Sequence, residues 1–394
     1  MKVLKMAKWI LLALLMFSLV TTAYTSVTYA KMDYINAHKN EIEQKVKNVL
    51  TNGFGKFYTI NSIQVKFNDL KVTDSKIEAN LFVTMNTTLK SKRVEDLPYV
   101  KGMLKEVNLN NFKYESNDKM KSALFEANKN SLKKDQLSRA SKELEFRFND
   151  LSQYINKADD NNFFLTVTAE VKNNQIIQDS INIMAENIDT MVPIQDLLPK
   201  SSEKIEEEGI HDMQQILNSQ GEEYSPALYA SYDRITARDY ANKWSINATS
   251  CYDHGTSCGI LQARNTWNND VYPYYSELCH NDCADFISQA LHAGGIPMDS
   301  TVADSTWHRG TAAQTTLAWV NTDALKRYMV GKGYWKASNY TSASAGGVLY
   351  TSTSHVVMIV KNDTIIRQFS GHTNDRNQVN YSNISGYEYY VLWN

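Results

Sequence analysis

The sequence predicts an α+β chain with two folded units. Three observations predict it. Between residues 31 and 185, apolar residues recur first at helical spacing and then in two-residue alternation, twice over. A polar, acidic stretch at 199–226 interrupts that pattern. Beyond it, a helical segment beginning near Cys283 precedes short apolar runs separated by turns from residue 346 onward. The 394 residues suffice for two or three domains, and the 43% hydrophobic and 21% charged fractions are those of globular proteins.

The N-terminus comes first. Lys2, Lys5 and Lys8 precede an apolar run over 9–20, and small and polar residues follow as far as Thr28-Tyr29-Ala30. A positive flank, a short apolar core and small residues before a cut describe a secretory signal peptide over residues 1–30, cleaved after Ala30 or, failing that, after Ala23. The run is shorter than the roughly 20 residues a membrane-spanning helix needs, although an uncleaved anchor is the competing reading. The expected location is therefore extracellular, secreted or associated with a cell wall, with no membrane attachment after cleavage. Removing residues 1–30 takes away three lysines and no acids, so the formal charge goes from −2 to −5. That balance argues against a nucleic-acid partner.

Residues 31–50 read as an amphipathic helix through Ile35, Ile42, Val46, Val49 and Leu50. Alternation follows in Ile63, Val65 and Phe67, then in Ile77, Ala79, Leu81, Val83 and Met85, which predicts two strands. Helical spacing returns over 117–157 with Leu124, Leu132, Leu137, Leu144 and Leu151. A hairpin is expected around Lys172-Asn173-Asn174. These elements make a smaller N-terminal α+β domain, 31–198, that carries no motif. The stretch 199–226, with Ser201-Ser202 and the acidic run Glu206-Glu207-Glu208, reads as a linker enclosing at most a short helix.

The C-terminal domain is expected over 227–394. Asp233 and Arg234 lead a helix through Ala237, Tyr240, Ala241 and Trp244. A helix beginning near Cys283 is stopped by Gly294-Gly295 and Pro297, and another spans roughly 316–331. All four cysteines, Cys251, Cys258, Cys279 and Cys283, lie in this part. In an exported chain a local Cys251–Cys258 disulfide is allowed; a Cys279–Cys283 bridge is the alternative, and it would silence Cys283. Zinc ligation by Cys279, His280 and Cys283, or by Cys251, His254 and Cys258, matches no common zinc spacing, so no metal is expected.

Cys283 opens the segment Ala284-Asp285-Phe286-Ile287-Ser288-Gln289-Ala290-Leu291, with Asn281 or Asp282 able to cap it. A thiol in a first helical turn feels the positive end of the helix dipole, which favours thiolate, and the backbone N–H there can hold an oxyanion. His355 heads the strand former Val356-Val357-Met358-Ile359-Val360, where an imidazole can face a thiol as general base and then general acid. A turn at Lys361-Asn362-Asp363-Thr364 would set residue 360 opposite 365 and 355 opposite 370. That register brings His372 to the same end as His355 as its orienting partner, with Gln368 and Asn374 as alternatives. Cys, then His, then a polar residue on the neighbouring strand is the order found in papain-like cysteine hydrolases. Trp307, Trp319, Trp335, Tyr274 and Tyr275 could line a groove beside them, though aromatics of this kind are more often core.

On these residues — Tyr232-Asp233-Arg234 with Ala237, Tyr240-Ala241 and Trp244; Asp282 to Leu291 with Gly294-Gly295; Ser354-His355-Val356; His372-Thr373-Asn374-Asp375-Arg376 — the stretch from about 232 to 394 resembles the putative amidase domain of exported Gram-positive proteins, a branch of the papain-like NlpC and CHAP cell-wall hydrolases. Two positions depart from its pattern: Asp285 stands where Asn is usual, and Gly346-Gly347-Val348-Leu349 lacks the usual Asp. An acid facing the thiolate would raise its pKa. The resemblance implies a papain-like domain in which a Cys-bearing helix packs on a small antiparallel sheet. It implies Cys283, His355 and His372 as catalytic residues and cleavage of amide bonds in peptidoglycan or its stem peptides through a thioester, without cofactor. A weakly active or inactive wall-binding module on the same fold is the alternative, and an amidase or peptidase acting on other amides is a third reading.

Overall fold

The computed structural model describes residues 34–219, 232–247, 271–272, 282–373 and 375–392. The expected signal peptide, the second part of the expected linker, Cys251, Cys258, Cys279, Tyr274, Tyr275 and Asn374 lie outside them. The architecture is mixed α and β: helices flank one sheet that contains 12 strands among the described residues.

Helix α1 (34–54) buries Ile42, Val46, Leu50 and Phe54, a four-residue spacing that keeps one face inward. It packs on β1 (Tyr58–Val72) and β2 (Lys76–Leu89), an antiparallel pair. In β2 the alternation of the sequence becomes alternation of burial: Ile77, Ala79, Leu81, Val83 and Met85 point into the core while the residues between them are exposed or half-buried. Helices α2 (Pro98–Glu106), α3 (Asn117–Asn128) and α4 (Lys134–Ser152) lead to β3 (Ala158–Lys172), which pairs antiparallel with β2 along nearly its whole length. Asn173 and Asn174, at φ 52° and 62°, form the two-residue turn into β4 (Gln175–Ile176), a pairing of left-handed residues that Asn tolerates better than most. The hairpin β5 (Asn182–Asn187) and β6 (Thr190–Pro193) follows and lies against β3.

The stretch expected to be a linker begins as a packed helix. In α5 (Ser202–Asn218) the N-cap Ser201 hydroxyl accepts the Lys204 N–H. Ile205, Gly209, Met213 and Leu217 face inward, while Glu207 is exposed and Glu206 and Glu208 are half-buried. The acidic run is thus one side of an amphipathic helix. Two glycines bring α5 and α2 into backbone contact: a Cβ on Gly209 would lie 1.9 Å from the Tyr99 carbonyl oxygen, and one on Gly102 would lie 2.0 Å from that of Glu206.

After α6 (Arg234–Lys243) and α7 (Cys283–Ala293), the helical segment expected over 316–331 divides at Asn321 into α8 (Leu317–Val320) and α9 (Thr322–Gly331). The Asn321 side chain accepts the Ala324 N–H and caps α9, which ends one helix and starts the next. Strands β7 (Lys336–Ser338), β8 (Val348–Tyr350), β9 (Val356–Asn362), β10 (Arg367–Gly371), β11 (Arg376–Tyr381) and β12 (Glu388–Val391) complete the sheet. Its order is β1-β2-β3-β11-β10-β9-β8-β12-β7. Strands from the two halves of the chain join where β3 meets β11, in parallel, at Asn162 and Val379. Ion pairs reinforce that seam: Lys361 with Asp159 at 2.7 Å, Arg376 with Glu186 at 2.5 Å and Arg234 with Asp150 at 2.7 Å.

The β9–β10 register differs from the expected one. Arg367 pairs with Asn362 and Ser370 with Met358, so the chain reverses at 363–366 rather than at 361–364. The cause is Asp363, whose carboxylate accepts the N–H groups of Ile365 and Ile366 at 3.1 and 2.9 Å and the Tyr58 hydroxyl at 2.9 Å. An Asp bonded to the backbone two residues on fixes a turn, and here a hydroxyl from the far end of the chain holds that Asp in place.

Candidate functional site

Helix α7 is buried on all sides from Cys283 to Leu291. It lies between α6, α8 and the face of β9 and β10. Cys283 is its first residue, so the thiol sits over the free N–H groups of the first turn. Asp282 occupies the N-cap position, but its carboxylate makes no side-chain cap. It turns instead to His372, whose Nδ1 lies 2.7 Å from Asp282 Oδ2.

His355 and Thr322 close around the thiol. His355 stands immediately before β9, and Thr322, first residue of α9, places its Oγ1 3.5 Å from Cys283 Sγ. Burial pushes the Cys283 thiol up; the His355 imidazole, by hydrogen bond and by charge, outweighs it with help from Thr322 and the Val356 backbone, and the net shift is downward. Burial pulls His355 down; its contact with Cys283, and the negative charges of Asp189 and Asp282, raise it above its ordinary value. The two shifts describe one arrangement, in which thiolate and imidazolium are each favoured by the other.

His372 meets the residue just before the thiol, Asp282. Its Nε2 is 2.6 Å from the Trp244 carbonyl oxygen, so both ring nitrogens face acceptors and both donate. The ring stacks on Phe286 at 3.9 Å between centroids. Burial alone would lower its pKa, but Asp282, Asp375 and the Trp244 carbonyl raise it to about 9. Both described nitrogen contacts, to Asp282 and to the Trp244 carbonyl rather than to His355, tie β10 to the start of α7. Gln368 is also elsewhere: its Nε2 donates to the Asp160 carbonyl at 2.8 Å and to the Asn161 and Asn380 side chains.

Asp285 does not face the thiolate. Its carboxylate accepts the Trp319 indole N–H at 2.5 Å and the Gln289 amide at 2.8 Å, and Arg309 lies 3.9 Å away. Burial raises its pKa to about 6, against the opposing pull of Arg309. Of the two readings of the tryptophans, core and groove, the structure shows core for all three. Trp307 and Trp319 are fully buried and stacked at 4.6 Å, and Trp335 stacks on Tyr390 at 5.2 Å. They are core, packed in one apolar cluster with Phe286 and Leu291 of α7 and Leu325, Tyr328 and Met329 of α9.

Sequence reasoning did not single out Thr322 or Asp189. Thr322 followed a capping Asn, a local signal for a helix start but not for contact with a thiol. Asp189 lies at a hairpin tip more than 90 residues before Cys283. Among the described residues, no group of three or more His, Cys, Asp or Glu is placed to hold a metal ion, and no helix is long and apolar enough to cross a membrane.

Residues 231–393, less than half of the chain, match the family described as the putative amidase domain. Neither the curated proteins nor the solved structures compared with the chain include a match. The C-terminal part is therefore similar to putative amidase domains, and amide hydrolysis is the reaction class which that similarity supports.

Proposed function

We propose that the chain is an exported cysteine-dependent amidohydrolase of the papain-like kind that acts on amide bonds of peptidoglycan or its stem peptides. The observation that carries the proposal is the mutual bias of Cys283 and His355 at the N-terminus of α7. The family similarity supports the amide bond as target. The basic and apolar leader over 1–30 supports export, and the wall then becomes the nearest abundant source of accessible amides.

In this mechanism the Cys283 thiolate attacks the substrate carbonyl carbon. The electron pair of the C=O bond moves onto oxygen, and the backbone N–H groups of the first turn of α7 stabilise that charge. Collapse of the intermediate expels the amine, which takes the proton held by the His355 imidazolium. A thioester on Cys283 remains. His355, now neutral, takes a proton from water as that water attacks the thioester, and the acid leaves with the thiolate restored. Thr322 donates a hydrogen bond to the thiolate and helps keep it ionised.

The test is release of new amine and carboxyl ends from purified peptidoglycan by the folded chain, with Cys283→Ala and His355→Ala as controls. Release that both variants abolish supports the reading. Wall binding without release, unaffected by Cys283→Ala, would show a binding module and end it.

A further inference from the structure

His355 ends the turn 351–355 that joins β8 to β9, and that turn is closed by its own backbone. The Thr351 N–H donates to the His355 carbonyl at 2.8 Å, and the Ser354 N–H donates to the Thr351 carbonyl at 3.1 Å. The His355 N–H donates to Thr351 Oγ1 at 3.2 Å. Ser354, just before the histidine, is held at φ 59°, a conformation uncommon in non-glycine residues. The turn is also held from the N-terminal half. The buried Thr351 hydroxyl donates to Asp189 Oδ2 at 2.6 Å, and the Thr353 hydroxyl reaches the same oxygen.

Asp189 itself is fixed. It is the second residue of the two-residue loop between β5 and β6, closed by the Asn187–Thr190 pair. Ile188, the first, has φ 61°, where a turn of this kind ordinarily takes glycine. The strained backbone is maintained because the Ile188 side chain is buried in an apolar cluster with Phe164 and Leu349. Asn187 on one side exchanges hydrogen bonds with the Ser382 backbone at 3.2 and 2.9 Å, and its carbonyl accepts the Tyr387 hydroxyl at 2.8 Å.

We propose that Asp189 is a positioning residue for His355, and that the N-terminal half completes the catalytic site by holding the histidine turn through it. The proposal rests on the reading of Cys283 and His355 as nucleophile and base. Asp189 acts in two ways. Through Thr351 it fixes the backbone N–H of the histidine, and its negative charge favours the imidazolium and, with it, the thiolate. The other charged and titratable groups around the histidine are Cys283 and Asp282 at the start of α7. On α9 there is Asp323, which accepts the Tyr350 hydroxyl at 2.5 Å, with Lys326 over the Tyr350 ring. Asp189 is exposed, so its influence is partly screened and depends on salt.

The experiment is iodoacetamide labelling of Cys283 in the full chain from pH 4 to 9, mapped by mass spectrometry, at low and high ionic strength. The chains compared are the native one, Asp189→Asn, Asp189→Glu and His355→Ala. Asn keeps an acceptor for the two hydroxyls and removes only the charge. The expected result is an acid limb shifted up by a few tenths of a pH unit in Asp189→Asn at low salt, a gap that narrows at high salt, and partial recovery in Asp189→Glu. Should Asp189→Asn not fold, Thr351→Val removes the hydroxyl that links the carboxylate to the His355 N–H and should move the limb in the same direction. If the native chain shows an activated thiol and Asp189→Asn and Thr351→Val superimpose on it at every salt concentration, the proposal is wrong while the Cys283–His355 reading stands. If the native thiol titrates as an ordinary cysteine and His355→Ala changes nothing, both are wrong.

Discussion

Replacing His372 with Ala should remove a pH-dependent contribution of about 3 kcal/mol to stability. The magnitude follows from the site. An unperturbed histidine titrates near pH 6.5, and Asp282 and the Trp244 carbonyl raise His372 to about 9. A difference of roughly 2.5 units, at about 1.4 kcal/mol per unit, gives about 3–3.5 kcal/mol. The independent figure for breaking a buried ion pair, about 3–5 kcal/mol, agrees. Below pH 6.5 the ring is charged in both folded and unfolded chains, and the contribution is fully present. Between 6.5 and 9 only the folded chain keeps the proton, so stability falls as pH rises, and above 9 the contribution is gone. Asp282, whose carboxyl is held below its usual range by the same partner in spite of burial, sets the acid side of the plateau. Urea unfolding at pH 6 and pH 9.5 measures the effect. The native chain should lose about 3 kcal/mol between those conditions, and His372→Ala should lose little, from a lower starting value because the stack on Phe286 is also lost. A native chain equally stable at both pH values would refute the reasoning.

Asp285→Asn should reverse a destabilisation. The folded carboxyl titrates near 6 and the unfolded one near 4, so the folded chain holds the extra proton and the native protein loses about 3 kcal/mol as pH rises from 4 to 6. The Asn variant should lack that slope in thermal melts; an unchanged slope would count against burial as the cause. Gly209→Ala should destabilise the fold by at least about 1–3 kcal/mol, because its methyl group meets the Tyr99 carbonyl at 1.9 Å and two backbones must separate; wild-type stability in urea would show that α2 and α5 are not so closely seated. Thr322→Val should raise the pH at which Cys283 begins to react with iodoacetamide by up to about one unit and leave the melting temperature nearly unchanged; an unshifted labelling profile would remove Thr322 from the site.

What could be read from the sequence was local. The alternation in Ile77 to Met85 predicted the buried face of β2, and Asn173-Asn174 predicted a turn, because each signal is complete within a few residues. Cys283 could be placed at a helix start and His355 at the mouth of a strand for the same reason. The rest depended on partners far along the chain. The β9–β10 register is set by Asp363 with Tyr58. His372 could be read as lying near the site, but its role depends on Asp282 and Trp244. The three tryptophans have the composition of a binding groove and the surroundings of a core, and only packing distinguishes the two. Helix α5 was hidden by its acids: three consecutive glutamates suggest solvent, whereas Gly209 on its other side marks the close contact.

The parallel pairing of β3 with β11 bears on how the C-terminal half can be produced and studied. A fragment cut at residue 231, where the family similarity begins, would leave β11 as a bare edge, its backbone donors and acceptors open to any other strand. It would also lack Asp159 and Glu186, which pair with Lys361 and Arg376. Such a fragment should aggregate rather than fold. During synthesis, the N-terminal strands have to wait for a partner roughly 200 residues downstream, and a contact of that separation forms slowly. On this reasoning the full chain, rather than the matched segment alone, should be the unit that folds.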